Sequence, residues 1–401
     1  MLFVRVLTDD RSAPDSRHSG SLNLSAMIAV LFIIVATGLL LSRRRGVLPA
    51  VLAASWICVW TAVALNTNGV STETLREGVR EVSVIALAVI VYNARGTLTV
   101  SVATRIVQIV GFVPAVIALY QIATHTGDDI AGALRAYGTF AHPDSAGMFF
   151  AIAATTSLWR YLDDRRHRSD LFLTALFAAA LIATGSLDSL ITLVAMLIAL
   201  GVLRPGPVQA NLIPYAIAGI VLLAFFATPL GSQRLSSESS TNVAAAERGE
   251  ASSSLAWRLH KWKTLIPEWE GSPLLGQGLG ATITVERTTS NNYTGVPPLN
   301  EYVRNLVETG IIGLTILLWA LATLMRHLIR KRRIPGRPEA DTRNAATLAI
   351  AIVIGCLVNS LGDNTLLYSP TCYAVALILA ATLSLPSPII SGRTQPGVAS
   401  S

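Results

Sequence analysis

The sequence predicts an all-α protein, a polytopic membrane helical bundle of about 11 transmembrane helices with one large external loop. Of its 401 residues, 52% are hydrophobic and 14% are charged, and the mean hydropathy is +0.54. Apolar runs of roughly 17–20 residues recur along the chain, and helices of that length cross a ~30 Å hydrocarbon layer. A transmembrane β-barrel would show short alternating segments instead.

The basic residues indicate how the chain crosses the membrane. The net charge of +7 comes from arginine clusters beside the apolar runs, as the positive-inside rule requires, so no nucleic-acid partner is expected. Arg43, Arg44 and Arg45 place the end of the first run in the cytoplasm. We therefore expect a multi-pass protein of the cytoplasmic (inner) membrane, with its N-terminus and its large loop outside and its C-terminus inside.

The apolar runs divide the chain into five parts. These are a polar N-terminal tail (1–23), a transmembrane bundle with spans 1–8 (24–230), a large external loop with an interfacial helix (231–299), spans 9–11 (300–386) and a polar C-terminal tail (387–401). The predicted spans are 24–41, 47–65, 82–92, 106–123, 145–159, 171–183, 190–203, 212–230, 300–325, 345–358 and 373–385. The cysteines, at 58, 356 and 372, lie in or beside apolar helices and predict neither a disulfide framework nor a metal site.

The third span is predicted to begin before its apolar run. Thr74 and Glu77 fit a helix-capping box. Arg76 and Arg80 then lie four residues apart, where like charges repel. Either they are solvated at the interface, or nearby glutamates neutralise them, or they hold an anion between them.

The large loop changes character near its middle. Residues 232–254 are rich in Ser, Ala and Glu and are predicted to be flexible. An amphipathic helix follows, with Arg258, His260 and Lys261 off its apolar stripe, which places these cations at phosphate depth on a membrane surface. The alternative is a helix packed on the bundle with solvated charges. The stripe consists of Leu255, Leu259, Trp262, Ile266 and Trp269. Residues 276–280 fit a flexible turn and not a phosphate-binding loop.

The first turns of the ninth span contain polar residues at membrane depth, where they usually face the bundle interior. Asn300 is placed to cap the helix. Arg304 and Glu308, four residues apart, form an ion pair in the simplest interpretation. Glu301 then remains as a candidate acceptor of a proton from a substrate hydroxyl.

A shorter loop before the fifth span carries Arg135, His142 and Asp144. A histidine and a carboxylate beside an arginine suit a base with an anion clamp. The alternative is that Asp144 caps the helix of span 5.

Other sequence patterns limit the chemistry. The chain has no Asp-x-Asp and no His/Cys ligand spacing, so a metal-dependent nucleotide-sugar transferase is not predicted, and no metal or cofactor is expected. Charge is nearly absent inside the spans, which argues against an ion-coupled transporter.

Four segments together resemble the O-antigen ligase and polymerase family of bacterial membrane glycosyltransferases. The segment at 300–314 is the most specific of them. They are Arg-Ala-Tyr-Gly-Thr-Phe-Ala-His-Pro-Asp at 135–144, Thr-Gly-Ser at 184–186, Arg258 to Trp262 with Pro-Leu-Leu-Gly-Gln-Gly at 273–278, and Asn-Glu-Tyr-Val-Arg at 300–304 with Glu-Thr-Gly-Ile-Ile-Gly-Leu at 308–314.

The resemblance implies a bundle of the GT-C type that transfers glycans from an undecaprenyl-diphosphate carrier to an acceptor hydroxyl outside the inner membrane, without a metal. It implies that Arg258 and Arg135 bind phosphate, with Arg80 as a third cation. The implied partners are the lipid-linked glycan, the glycan acceptor, membrane lipids and other polysaccharide-assembly proteins. The catalytic candidates are Glu301, His142 and Arg258, and the substrate-binding candidates are Arg135, Arg80, Lys261, Asn300 and Arg304.

Two positions depart from the family pattern. Leu299 stands where ligases of the family have a histidine, and Leu187 stands where an arginine follows Thr-Gly-Ser. These departures favour a polymerase or a divergent glycan transferase over a lipid A–core ligase. They leave Glu301, His142 or His260 as the base, or a reaction without one. The alternatives are an exporter of lipid-linked glycans and a non-catalytic partner in envelope assembly.

Overall fold

The computed structural model describes ten stretches of the chain and consists almost entirely of helices there. The described residues are 24–43, 47–69, 72–94, 97–130, 133–164, 168–204, 208–238, 254–284, 298–333 and 340–385. Both predicted polar tails lie outside these ranges, as do Arg44, Arg45 and residues 239–253 of the stretch predicted to be flexible.

Fourteen α-helices, one two-stranded hairpin and one short 3₁₀ helix make up the described residues. The helices are α1 (Leu24–Arg43), α2 (Val47–Asn68), α3 (Thr72–Asn93), α4 (Val100–Ala123), α5 (Pro143–Asp163), α6 (Arg168–Thr184), α7 (Leu187–Leu203), α8 (Val208–Ala227), α9 (Pro229–Glu238), α10 (Ser254–Glu270), α11 (Ala281–Thr284), α12 (Glu301–Arg332), α13 (Ala340–Gly362) and α14 (Ser369–Ser384). The hairpin pairs β1 (Asp128–Ile130) with β2 (Ala133–Arg135) in antiparallel register, and the 3₁₀ helix is Thr365–Leu367.

Each predicted span coincides with one of these helices, so the all-α prediction is confirmed. By length and composition, four described helices can cross a membrane, at Pro49–Thr67, Val100–Ala123, Glu301–Arg332 and Thr342–Gly362. Shorter apolar helices lie at Met27–Ser42, Leu187–Leu203, Asn211–Ala227 and Ser369–Ser384. The total of 11 crossings stays a prediction.

Two local predictions were wrong. Thr74 does not begin α3, which starts at Thr72, and its hydroxyl instead donates to the carbonyl of Leu279 at 3.0 Å. The start of the stretch predicted to be flexible is helical, because α9 extends to Glu238.

The centre of the bundle is α5, which is buried around most of its circumference. Small residues allow α6, α7 and α13 to approach it closely, as is usual where helices pack in a membrane. Phe149 and Phe150 of this helix form an aromatic cluster with Phe140 of the preceding loop and Phe177 of α6, with ring centroids 5.2–6.5 Å apart. The core therefore fixes the start of α5, where the shorter loop enters it.

Helix ends of opposite sense meet at one end of the bundle, which we call the site end. Here the N-terminal turns of α3, α5, α7, α12 and α14 meet the C-terminal ends of α6 and α13. At the opposite end, cations cap helix carbonyls: Lys331 donates to Leu385 O at 2.7 Å and Arg332 donates to Leu203 O at 2.6 Å. Cations are stabilising beside such C-terminal carbonyls.

Candidate active site

The loop before α5 is fixed to α4 by a buried glutamine. The side-chain oxygen of Gln121 accepts hydrogen bonds from Tyr137 N at 3.0 Å and Gly138 N at 2.8 Å, and its nitrogen donates to Gly138 O at 3.1 Å. Gly138 has φ 61°, and a Cβ there would meet Pro114 O at 2.6 Å. The loop thus has a defined path, which delivers His142 to the start of α5.

Arg135 is buried beneath this loop, with 3% of its surface exposed. Its Nε donates to Thr184 O at 2.7 Å and its Nη2 to Asp144 Oδ1 at 2.6 Å. One guanidinium therefore ties the end of α6 to the first turn of α5. Arg135 holds Asp144 in place and has little surface left for a ligand.

His142 is the exposed member of the same group, with 48% of its side chain accessible. Its Nδ1 lies 3.2 Å from both the backbone nitrogen and Oδ2 of Asp144. The helix cap of α5 is therefore His142 and not Asp144, which corrects the alternative interpretation of Asp144. Desolvation lowers the pKa of His142, but the hydrogen bond and the charge of Asp144 outweigh it, and the net shift is upward.

Arg258 reaches from α10 to the first turn of α7. Its Nη2 donates to Asp188 Oδ2 at 2.5 Å and its Nη1 to Oδ1 at 3.4 Å, and 16% of the side chain is exposed. Burial lowers the pKa of Arg258, but Asp188 raises it more. Gly362 leaves room for this pair, because a Cβ at that position would clash with Asp188 Oδ1.

Asp363, which sequence reasoning missed, completes this group. It is 1% exposed, and the hydroxyl of Tyr368 donates to its two oxygens at 2.7 and 2.9 Å. Burial, together with the charges of Asp144 and Asp188, raises the pKa of Asp363 to about 7. Its position in the short connection between α13 and α14, beside Asn364, was the signal that could have found it.

These residues form one electrostatic unit, which we call the aspartate site. Its members are Arg135, His142, Asp144, Asp188, Arg258, Asp363 and Tyr368. Charge interactions join Asp363 to Asp144 and Asp188, and join Arg258 to all three aspartates. Both arginines are paired with carboxylates. An anion that binds to either arginine would therefore have to displace the carboxylate from it. Within the described ranges, no group of three or more His, Cys, Asp or Glu side chains is arranged to hold a metal ion.

A second ionic group, the glutamate cluster, lies between α3 and α12. Arg304, 2% exposed, is its centre. Its Nη1 lies 3.1 Å from Glu301, and its Nη2 lies 3.1 Å from Glu77, 3.2 Å from Glu308 and 3.7 Å from Glu81. The pairing of Arg304 with Glu308 is as the spacing predicts, but three more carboxylates share the guanidinium.

Arg80 belongs to this glutamate cluster, where both of its terminal nitrogens donate to Glu77. Arg80 is therefore neutralised by a glutamate, which was one of the three interpretations that the sequence left open for Arg76 and Arg80.

Glu301 is more engaged than its sequence position suggests. It is 3% exposed; its Oε1 accepts from Arg304 and from Asn305 Nδ2, and its Oε2 accepts from Leu366 N at 3.2 Å. Asn300 caps α12 as predicted, accepting from Tyr302 N at 2.9 Å, and its Nδ2 donates to Leu361 O at 2.9 Å. Both residues thus anchor the segment 361–368 that carries Asp363.

The interfacial helix presents its charged side to the protein. Lys261 is 2% exposed and its Nζ lies 5.4 Å from the Trp257 ring centroid, whereas Leu255, Leu259 and Ile266 are 37–42% exposed. The apolar stripe therefore faces outward, and the alternative of a packed helix with solvated charges is wrong for Lys261. This orientation is typical of a helix whose apolar side meets a lipid phase.

The structure thus brings three of the predicted site residues, Arg135, His142 and Arg258, into the aspartate site. It places Arg80, Arg304 and Glu301 in the glutamate cluster, with Asn300 and the segment 361–368 between the two groups.

An apolar helical bundle with buried ionic groups at one end defines the class: this is a helical membrane protein. Residues 172–318 match the family model described as O-antigen ligase. The resemblance to the O-antigen ligase and polymerase family is thereby confirmed for this part of the chain, which is similar to the O-antigen ligase family. No curated protein matches the chain. The matched region includes Asp188, Arg258 and the glutamate-cluster residues of α12, whereas Arg135, His142 and Asp363 lie outside it.

Proposed function

We propose that the protein is a membrane glycosyltransferase that transfers or polymerises glycan units from an undecaprenyl-diphosphate carrier onto an acceptor hydroxyl on the outer side of the cytoplasmic membrane. The observation that carries this proposal is that the first turn of α7 connects Arg258 to His142. Arg258 donates to Asp188, and the neighbouring Ser189 Oγ donates to the carbonyl of Asp144, the partner of His142. A cation for the leaving group and a proton acceptor with an open ring nitrogen thus share one site.

Arg258 stabilises the leaving diphosphate. Its guanidinium presents a planar fork that matches phosphate oxygens as it matches the carboxylate of Asp188. A cation placed where negative charge develops stabilises the transition state. The diphosphate takes the place of Asp188, and the orphaned Nε of Arg258, which is buried with no hydrogen-bond partner, becomes available to it.

His142 accepts the proton of the acceptor hydroxyl. In the tautomer with Nδ1–H, His142 donates to Asp144 Oδ2 in place of accepting the cap hydrogen bond from Asp144 N, and the lone pair of Nε2 is free to act as a base. The acceptor oxygen attacks the anomeric carbon, its proton moves to Nε2, and the bond from that carbon to the diphosphate oxygen breaks. Arg135 acts through Asp144, which orients the imidazole. Lys261, buried beside Trp257, supports the position of α10.

Glu301 has a different role from the one expected of it. Its carboxylate is occupied by Arg304, Asn305 and the backbone of Leu366. Glu301 positions the segment that bears Asp363, and Arg304 holds Glu301 in place. Arg80 pairs with Glu77, which also contacts Arg304. Asp363 and Tyr368 then line the acceptor side of the site, where Asp363 holds a proton near neutral pH.

The test is transfer from undecaprenyl-diphosphate glycan by purified protein in lipid vesicles. Arg258→Ala should lower kcat/KM by about 100-fold or more, the range found when a charge-stabilising donor is lost. Arg258→Lys should recover only part of the lost kcat/KM, because a lysine cannot bind the phosphate oxygens with two nitrogens in one plane. Lys263→Ala, on the exposed side of α10, is the matched control. Wild-type kcat/KM in a folded Arg258→Ala variant would refute the mechanism.

A non-catalytic partner in an envelope assembly complex is the second candidate, and Leu299 at the position of the family histidine favours it. The same assay separates the two. Chain extension by wild-type protein alone supports the transferase. Extension that appears only when another assembly protein is added, and that survives Arg258→Ala, supports the partner, and an exporter would move the lipid-linked glycan without extending it.

A further inference from the structure

Helix α12 is broken inside the apolar part of its span. Gly310 has φ 64° and ψ −172°, which is not helical. About 20 residues cross the hydrocarbon layer, so counting outward from Arg326, where the basic end of α12 starts, places the outer boundary roughly at residue 306. Gly310 then lies within the hydrocarbon, about one helical turn below that boundary.

The break removes two hydrogen bonds that a continuous helix would make, from Ile311 N to Val307 O and from Ile312 N to Glu308 O. A segment of the large loop, 273–278, replaces them with four. Gln277 N and Gly278 N donate to Val307 O and Glu308 O, each at 2.8 Å. Ile311 N and Ile312 N donate to Pro273 O at 2.9 Å and Leu274 O at 3.3 Å.

This pairing satisfies the main requirement for irregular backbone at membrane depth, since unpaired N–H and C=O groups are too costly in hydrocarbon. The segment is also held by α2. The indole nitrogen of Trp60 donates to Leu275 O at 3.1 Å, and Leu279 N donates to Trp60 O at 3.1 Å. The loop is therefore built into the bundle and is not the flexible turn that its glycines predicted.

The two leucines of this segment are apolar and exposed. Leu274 is 60% exposed and Leu275 is 46% exposed, and beside them on α12 Ile311 and Ile312 are 47% and 41% exposed. The same exposed surface continues along α12 to Trp319, which is 69% exposed. An apolar patch that continues the lipid-facing side of a membrane helix is suited to acyl chains.

We propose that residues 273–278 form a re-entrant membrane segment, whose Leu274 and Leu275 contact the acyl chains of the bilayer beside the break in α12. The segment also fixes the height of α10. Trp269 Nε1 donates to Pro273 O at 3.2 Å and Gln277 Nε2 donates to Glu268 O at 2.7 Å. The anchored end of α10 thus sets the depth of the helix that carries Arg258. The inference does not depend on the transferase function.

The experiment uses nitroxide spin labels on single cysteines in the full chain, with Cys58, Cys356 and Cys372 replaced by alanine. Protein in phosphatidylcholine–phosphatidylglycerol vesicles is exposed to oxygen, which concentrates in hydrocarbon, and to a nickel chelate, which stays in water. Leu274→Cys and Leu275→Cys are the test sites, so that one misfolded variant does not decide the result. Trp319→Cys reports the lipid-facing span, and Glu270→Cys, exposed at the end of α10, reports the interface.

Labels at 274 and 275 should show an oxygen-to-nickel accessibility ratio several-fold above that at 270 and close to that at 319. A ratio equal to that at 270 would place the segment in water and overturn the proposal. Exclusion of both reagents from 274 and 275 would mean that protein covers the patch, and it would overturn the proposal as well. Neither outcome alters the transfer assay.

Discussion

Leu299 has φ 48°, a left-handed backbone that costs a leucine energy and that is usually kept only where the surroundings enforce it. The surroundings here are Trp262, whose indole nitrogen donates to Pro298 O at 2.8 Å, and Asn300, which caps α12. The strain lies between α10 and α12, at the position where the resemblance implies a histidine. Leucine at this position has no group for proton transfer.

The pKa of His142 gives a residue-scale prediction. If His142 is the base, transfer should increase with pH as the imidazolium loses its proton, with a midpoint above 6.5, because Asp144 raises this pKa. Asp144→Asn removes that stabilising charge, so the midpoint should move to lower pH. The measurement is kcat/KM against pH for wild type and Asp144→Asn.

Asp129→Asn is the control for this shift, since Asp129 is an exposed carboxylate of the same loop, and its profile should overlay that of wild type. A midpoint in Asp144→Asn that stays where it is in wild type would exclude His142 as the titrating base. His142→Ala should lose the pH-dependent rise altogether.

At the scale of elements, α3 and α12 are joined by the glutamate cluster. Arg304→Gln would leave Glu77, Glu81, Glu301 and Glu308 buried without their common cation. Removing one partner of a buried ion pair typically costs about 3–5 kcal/mol. We expect Arg304→Gln to lower the apparent melting temperature by several degrees in lipid nanodiscs.

Arg326→Gln, on the exposed side of the same helix, makes the same chemical change without burial and should leave the melting temperature nearly unchanged. Equal melting temperatures for the two variants would show that the glutamate cluster does not stabilise the contact between α3 and α12.

The pairing of the loop with broken α12 depends on glycines. Gly276 has φ 67°, and a Cβ there would lie 2.6 Å from both Glu308 C and Gly310 N. Gly276→Ala should therefore displace the segment and lower the melting temperature. Gly219→Ala, in α8, meets nothing within 4 Å and should be neutral or slightly stabilising, because alanine is the better helix former. Equal stability of Gly276→Ala and wild type would contradict the close pairing.

At the scale of the whole molecule, the aspartate site and the glutamate cluster share one end of the bundle, and the basic termini of α7 and α12 share the other. The positive-inside rule predicts that the basic end is cytoplasmic. In a cysteine-free background, a membrane-impermeant maleimide added to intact cells should label Asp129→Cys and should not label Arg330→Cys. Labelling of position 330 alone would reverse the orientation and place the site in the cytoplasm, where the proposed transfer could not occur.

The sequence by itself determined the helical membrane class, the approximate position of each apolar helix and the resemblance to a family. Hydrophobic runs report which segments leave water, and this depends on composition and not on contacts. It also determined the caps and pairs that lie within one helix, such as Asn300 and the pairing of Arg304 with Glu308, because three or four residues are one helical turn.

Tertiary structure alone decided which polar groups share a site. Asp363 lies 219 residues from Asp144 in the sequence, yet their charges interact, and no local spacing records that contact. It also decided that Arg135 is a buried support, that Arg80 joins Arg304, and that the glycine-rich turn completes a broken helix. The physical reason is that backbone groups and charges at membrane depth must find partners wherever the fold places them, and those partners come from distant parts of the chain.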